Sequence, residues 1–300
     1  MVNTPVSQEY RKNRADAADQ AASRPPADPA DAPLVSAVTI SWNVKSTIPR
    51  TIASVQAQTL GSVEHLIVDG GSTDGTIELA RDALRAQDRL ISEPDEGISD
   101  ALNKGIALAR GRYVHFIHAD DHLTPNFYEI AVAALEETGA PFVYGDLVME
   151  RGGAPSYRMV GEPAYATIIP RRMPNLNHPT CVVRKEVYDQ VGGFDLSYKC
   201  AMDYDFFLRA ARMGVYGRYV PELVAHMNVD GVSNNRFIRT IGEVRAIAVA
   251  HGRSPLLAWP EWAYRATKSS LGRLVRERAE PLYLAVRRII NPTIRTQPKN

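Results

Sequence analysis

From Leu34 onward, short apolar runs alternate with stretches in which apolar residues recur every three or four positions. Such alternation predicts βαβ units and a mainly parallel sheet flanked by helices, an α/β fold. Residues 35–42 form the first expected strand. A helix follows from about Thr47, with Pro49 tolerated in its first turn and Ile52, Val55 and Leu60 as its buried stripe. Further strands are expected at 64–69, 89–92, 113–117 and 142–145, and helices at 76–86 and 98–109. Another helix should run from Thr124-Pro125 to about Thr138, with Thr124 as its N-cap. After Asp146 the alternation weakens, which predicts hairpins and loops. Order resumes at 182–191, and 202–213 and 237–252 read as helices, the latter with Ile241, Val244 and Ala248 on one face. Residues 1–33, rich in Ala, Asp, Pro and Arg, read as a disordered leader. The expected organisation is this leader, an α/β domain over 34–235 and a helical, basic extension over 236–300.

Composition refines this picture in two places. Two cysteines, Cys181 and Cys200, are too few for a disulfide framework, and no apolar stretch approaches 18 residues, so a reduced, cytoplasmic protein is expected. The net charge of +1 conceals an asymmetry. Residues 265–300 hold nine Lys and Arg against two Glu, a local +7, which leaves −6 on the rest. Within that tail, Leu282, Val286, Ile289 and Ile290 fall on one side of an expected helix, with Arg287 and Arg288 toward the other. Two readings stand: peripheral contact with an anionic membrane surface, or packing of the apolar side onto the catalytic domain.

The candidate chemistry sits where strands end. Ile67 to Gly75 reads I-V-D-G-G-S-T-D-G, an apolar run ending in Asp69 and breaking into a turn; Tyr113 to Ile117 likewise runs into His118-Ala119-Asp120-Asp121. Ligands of open α/β sheets bind outside the carboxyl ends of strands, so both acidic clusters should line one cleft. Carboxylates repel phosphate, and so acidic a cleft needs a divalent cation to hold a nucleoside diphosphate. Ser72 and Asp74 are read either as ligand contacts or as caps of the helix from Thr76. Asp100, Asn103 and Lys104 cluster within one turn near a helix start. Asp203, in Met202-Asp203-Tyr204-Asp205, follows apolar Ala201-Met202, and burial there would raise its pKa and make it a better proton acceptor.

Seven motifs occur in an order that resembles the family 2 glycosyltransferases of the GT-A fold, over roughly Leu34 to Asn235. They are Val35 to Asn43, Ser54 to Thr59, Val68 to Thr76, Asp95 to Gly105, Ala119-Asp120-Asp121, Gly192 to Asp195, and Asp203-Tyr204-Asp205 ahead of Arg209. The resemblance implies that Asp69 contacts the nucleoside and that Ser72, Asp74, Asp100, Lys104, Ala119 and Asp121 border the nucleotide-sugar. It implies that Asp120 holds Mn²⁺ or Mg²⁺ against the diphosphate, that His226 reaches the same metal, and that His178 lies on the acceptor side. Asp203 matches the general base of inverting members. Two positions depart from the pattern: His118 stands for the first aspartate of Asp-x-Asp, and Met202 where Glu is common.

The implied reaction moves one sugar from a nucleoside-diphosphate sugar to a hydroxyl of a lipid-linked or polysaccharide acceptor, with inversion, at the inner face of the plasma membrane. A sugar nucleotidyltransferase is the rival enzyme. It would want a glycine-rich basic loop after the first strand, where this chain has Ser41 to Ser46. A binding module without turnover is the non-enzyme rival. The sugar, the base and the acceptor stay open, and no nucleic-acid partner is expected.

Overall fold

The computed structural model describes residues 32–228, 237–260, 262, 263, 267, 294 and 295. The expected leader, Gly231-Val232-Ser233 and the amphipathic tail helix lie outside them. The strands are β1 (Val35–Ser41), β2 (Val63–Asp69), β3 (Arg89–Ser92), β4 (Tyr113–His118), β5 (His122–Leu123), β6 (Phe142–Arg151), β7 (Ala154–Met159), β8 (Val182–Arg184), β9 (Arg218–Asn228) and β10 (Ile294–Arg295). The helices are α1 (Ile48–Gln56), α2 (Thr76–Ala83), α3 (Ile98–Leu108), α4 (Phe127–Thr138), α5 (Tyr165–Ile168), α6 (Lys185–Val191), α7 (Met202–Arg212) and α8 (Phe237–Ala250).

These strands join one sheet in the order β10-β7-β6-β8-β4-β1-β2-β3, with β9 against β6 and β5 against β9. The half β4-β1-β2-β3 is parallel, as the βαβ pattern requires. Beyond β4 the pairing turns antiparallel through β8, β6 and β7, while β9 lies parallel to β6. β1 and β2 are buried almost throughout because helices cover both faces. On one face, Val38, Val114 and Phe116 pack with Leu102 and Ile106 of α3 and Phe206 and Phe207 of α7. On the other, Ala37, Ile117 and Val143 pack with Phe127, Ala131 and Leu135 of α4.

The register places the site. Ile40 of β1 stands opposite His118 of β4, and Ser41 opposite Asp69 of β2. The two acidic clusters thus flank the carboxyl end of β1, about 9–10 Å apart at two strand spacings.

Two local expectations change. Thr124 is not the cap of α4: its hydroxyl donates to the Val224 carbonyl of β9, and the helix starts after Asn126. Strand β6 runs ten residues rather than four. Its buried Asp146 broke the apolar pattern, and in the fold that acid accepts from Arg158 Nε (2.7 Å), Tyr219 Oη (2.7 Å) and Gly161 N (2.8 Å). The helix at 237–250 forms as expected and packs on the domain, Ile247 being buried in the same cluster as α7. Among the described residues no helix is long and apolar enough to cross a membrane.

At Gly145 the chain of β6 passes so close to β9 that an added Cβ would lie 1.9 Å from the Leu223 carbonyl oxygen. Gly145→Ala should therefore destabilise the protein by about 1–3 kcal/mol through forced displacement of a neighbouring strand. A control at Gly61, whose Cβ would meet nothing within 4 Å, should change stability by less than about 0.5 kcal/mol. Urea denaturation of both variants reads the difference as a shift in midpoint.

Candidate functional site

Asp69 is the hub of the strand-end crevice. Its carboxylate is buried and accepts five hydrogen bonds: Gly71 N (3.0 Å), Ser72 N (2.7 Å) and Ser92 Oγ (2.9 Å) on Oδ1, and Ser41 Oγ (2.8 Å) and Ser72 Oγ (2.6 Å) on Oδ2. Burial pushes this carboxyl up, but the donors from Ser72, Ser41 and Ser92 outweigh it and hold the group below the ordinary carboxylate value. With both oxygens engaged, a nucleoside would have to displace one serine to reach Asp69. Ser72 completes the turn by accepting from Asn43 N.

Two residues beside this hub were not singled out from the sequence. Gly70 lacks the Cβ that would stand 2.4 Å from Asp95 Oδ2 and 3.5 Å from Trp42 Cδ1, so both side chains close over the turn. Asp95 Oδ1 accepts from Gly97 N (2.9 Å), leaving Oδ2 over the crevice. Trp42 is 67% exposed at the end of β1, a flat apolar surface on which a base could stack. The signal in the sequence was the Gly70-Gly71 pair, which marks close approach of other groups to the backbone.

Asp74 and Lys104 have structural partners instead of a ligand. Asp74 Oδ1 accepts from Thr76 N (3.0 Å) and Thr76 Oγ1 (2.5 Å), and Oδ2 from Lys45 N (3.0 Å), so it caps the first turn of α2. Lys104 Nζ reaches Glu93 (2.9 Å), Asp100 (3.1 Å) and the Pro94 carbonyl (3.0 Å), which engages all three of its donors. Asp100 also accepts from Glu96 N (3.2 Å). Lys104 thus clasps α3 to the loop carrying Asp95.

The turn after β4 presents the half-buried Asp120 beside buried Ala119 and Asp121. Among the described residues the donor that bears on the buried Asp121 carboxyl is the Asn228 backbone amide, and it leaves the group poorly satisfied. Burial, reinforced by the Asp120 charge, raises the Asp121 carboxyl well above its usual range, while the Asn228 backbone amide favours the charged form. A buried carboxylate so poorly compensated suits a neighbouring cation, so Asp120 and Asp121 fit a divalent metal. His118 is held neutral, since burial lowers its pKa more than Asp120 raises it.

His226 belongs elsewhere. Met149 of β6 and Met227 of β9 line the large pocket described below, so Glu150 and His226, one residue along each strand, face the opposite side. There His226 Nδ1 lies 2.9 Å from Glu150 Oε1, and the His226 ring centroid is 4.4 Å from that of His122. The ligand atoms of His122, Glu150 and His226 all lie within 4.8 Å of one another, a set that a transition metal could use, and Asp120 is not among them. Arg50 occupies this cluster, donating to Glu150 (2.9 Å) and bonding His122 Nε2 (2.9 Å). Burial and the neighbouring His226 keep His122 neutral, at about 4.

A pocket of about 470 Å³ opens beside His118. Asp203 and His178 line it. Asp203 lies in the first turn of α7, and its Oδ1 accepts from Tyr204 N (2.8 Å); the helix cap is Ala201. Burial raises the Asp203 carboxyl to about 6, as the apolar Ala201-Met202 context predicts. Asp205 takes the structural part, pairing with Arg209 (2.8 Å) and His251 (3.1 Å). The His178 ring packs among Phe116, Phe194, Phe207 and His118, and burial lowers it to about 3. Glu243 of α8 holds the start of α7: its carboxylate accepts from Lys199 N (3.1 Å), Cys200 N (2.7 Å) and Ala201 N (3.0 Å). The sequence carried no local signal for that contact.

Residues 36–192 match the family described as Glycosyl transferase family 2. A PGL/p-HBAD biosynthesis glycosyltransferase of Mycobacterium bovis (strain BCG / Pasteur 1173P2) is 32% identical over 213 residues, 69% of this chain and 81% of that protein. An uncharacterized glycosyltransferase of Mycobacterium tuberculosis is 32% identical over 236 residues, covering 75% and 86%. Among solved structures, a mannosyltransferase from Pyrobaculum calidifontis in complex with GDP-Man and Mn²⁺ superposes with a TM-score of 0.57 at 18% identity, over 96% of this chain and 92% of that one. S. aureus TarS 1–349 in complex with UDP-GlcNAc gives 0.56 at 16% identity, over 75% and 69%. Strand-end crevice, acidic turn and family match converge on one identity: this chain is a glycosyltransferase of family 2, built on the GT-A fold.

Proposed function

We propose that the chain transfers one sugar from a nucleoside-diphosphate sugar to an acceptor hydroxyl by single displacement with inversion, Asp203 being the general base. The observation that carries this reading is the Asp203 carboxyl itself: buried, lining a large pocket, and raised to about 6. Such a group is ionised at neutral pH yet basic enough to take a proton from a hydroxyl as its oxygen attacks the anomeric carbon. His178 and His118, both neutral, bear on the same pocket and add no charge that would compete with it. On the donor side, the Asp69 turn, Asp95 and Trp42 hold the nucleoside. Donor complexes of two fold neighbours, with UDP-GlcNAc and with GDP-Man and Mn²⁺, support a nucleotide-sugar donor here. Asp120 and Asp121 would hold Mn²⁺ or Mg²⁺, whose charge offsets that of the departing diphosphate.

Asp203→Asn keeps the shape and the Tyr204 bond but cannot accept a proton. Turnover should fall at least about 10²-fold while donor affinity stays within about twofold; a residual rate above a tenth of wild type contradicts the assignment. In the wild type, kcat/KM should rise as pH passes through about 6.

The same shift has a stability counterpart. Because the folded pKa lies above the ordinary value of 3.8, ionisation costs the folded state progressively from about pH 4 to pH 6, and in full above that. Asp203→Asn should therefore be more stable than wild type at pH 8, by about 1–3 kcal/mol, with the gain vanishing below about pH 4. Chemical denaturation at pH 4, 6 and 8 checks the sign.

Asp120→Asn should abolish the Mn²⁺-dependent part of the thermal stabilisation given by UDP or GDP. An unchanged Mn²⁺ increment would rule out Asp120 as a ligand.

A further inference from the structure

The pocket that Asp203 lines carries a distinctive wall. Five of the chain's seven methionines converge on it: Met149 from β6, Met159 from β7, Met173 from the segment after α5, Met202 from α7 and Met227 from β9. They arrive from five separate segments, so no single amphipathic stripe explains the convergence. Met149 and Met202 also belong to the core clusters, and Met159, Met173 and Met227 pack against them, yet with the other lining residues they border about 470 Å³ of open pocket. Methionine is unbranched and polarizable, and a wall made of it adapts to apolar shapes.

The polar side chains of this pocket are largely engaged within the protein. Asn177 Nδ2 donates to the Gly145 carbonyl (2.8 Å) and the Met159 carbonyl (3.2 Å), and Asn175 Nδ2 to the Val160 carbonyl (3.4 Å). Tyr204 Oη donates to the Ile169 carbonyl (3.0 Å), and Lys199 Nζ to the Glu96 carbonyl (2.8 Å). A polysaccharide end seated here would bury hydroxyls with few partners to receive them, which is costly. What stands ready for a hydroxyl is the group formed by Asp203, His178 and His118. His178 packs on Phe207, one helical turn from Asp203, and its ring centroid lies 6.4 Å from that of His118.

We propose that the acceptor is an amphipathic molecule whose apolar aglycone fills the methionine-walled pocket while its hydroxyl meets Asp203. This rests on Asp203 acting as the base, and it narrows the acceptor class from hydroxyl compounds at large to those joined to a hydrocarbon or aryl body. Donor recognition stays on the far side of His118, so acceptor selection is a property of this wall alone.

The test uses the full-length protein labelled with ¹³C at the methionine methyls. n-Octyl β-D-glucopyranoside, kept below its micelle concentration, is compared with methyl β-D-glucopyranoside. The octyl probe should shift the five pocket methyls and leave Met213, which is half-exposed and away from the pocket, unmoved. The methyl probe should shift none at equal concentration. In binding and in KM for transfer, the octyl probe should be favoured at least about tenfold, the ratio that two buried methylenes supply. Met149→Gln with Met227→Gln should bring that preference within about threefold, and the Leu pair at the same positions should keep it. Equal response to both probes, an octyl response that includes Met213, or a preference that survives the Gln pair in folded protein overturns the proposal. Failure of the catalytic reading looks different: methyl shifts confined to the pocket would persist while Asp203→Asn transfers sugar at the wild-type rate.

Discussion

The strand-end crevice depends on one buried carboxylate. Asp69 draws Ser41 from β1, Ser92 from β3 and the Gly71-Ser72 backbone onto two oxygens, tying three adjacent strand ends together at their carboxyl edge. A charge so deep survives because each lone pair meets a donor. The cluster sets the turn, the turn exposes Gly70, and Gly70 admits Asp95 and Trp42. Loss of that one acceptor set would release the whole edge.

Environment divides labour among carboxylates that look alike in sequence. Asp69, saturated with donors, is held charged. Asp203, with a single amide and apolar neighbours, is raised toward neutrality and made basic. Asp121 is buried with little compensation from donors and suits a cation, whereas Asp205 is paired with Arg209 and His251 and binds helices together. The proposed chemistry follows from these differences more than from the identity of any residue.

The parallel half of the sheet was legible in the chain because its strands carry apolar residues on both faces and its helices keep a 3.6-residue period; residues 89–92 and the start of α3 fall where the pattern puts them. The second half was less so. Strand β6 continues past Gly145 through Asp146 and Glu150, buried acids whose partners, Arg158 and Arg50, lie 12 and 100 residues away. Site reading met the same barrier. The strand-end acids and Asp203 could be found from motif and apolar context. That Lys104 is clasped by Glu93 and that His226 faces away from the pocket depend on pairing and side-chain direction, which no local window contains.

Glu243 shows how far the machinery extends along the chain. It lies in α8, beyond the segment matched to the family, yet its carboxylate gathers three successive amides just ahead of Asp203. A shortened enzyme ending near residue 235 would keep every motif residue and still leave those amides bare and the base helix unmoored. The folding unit is therefore longer than residues 34–235, and grafting that stretch alone onto another chain would transplant the strand-end crevice and leave the segment ahead of Asp203 unheld.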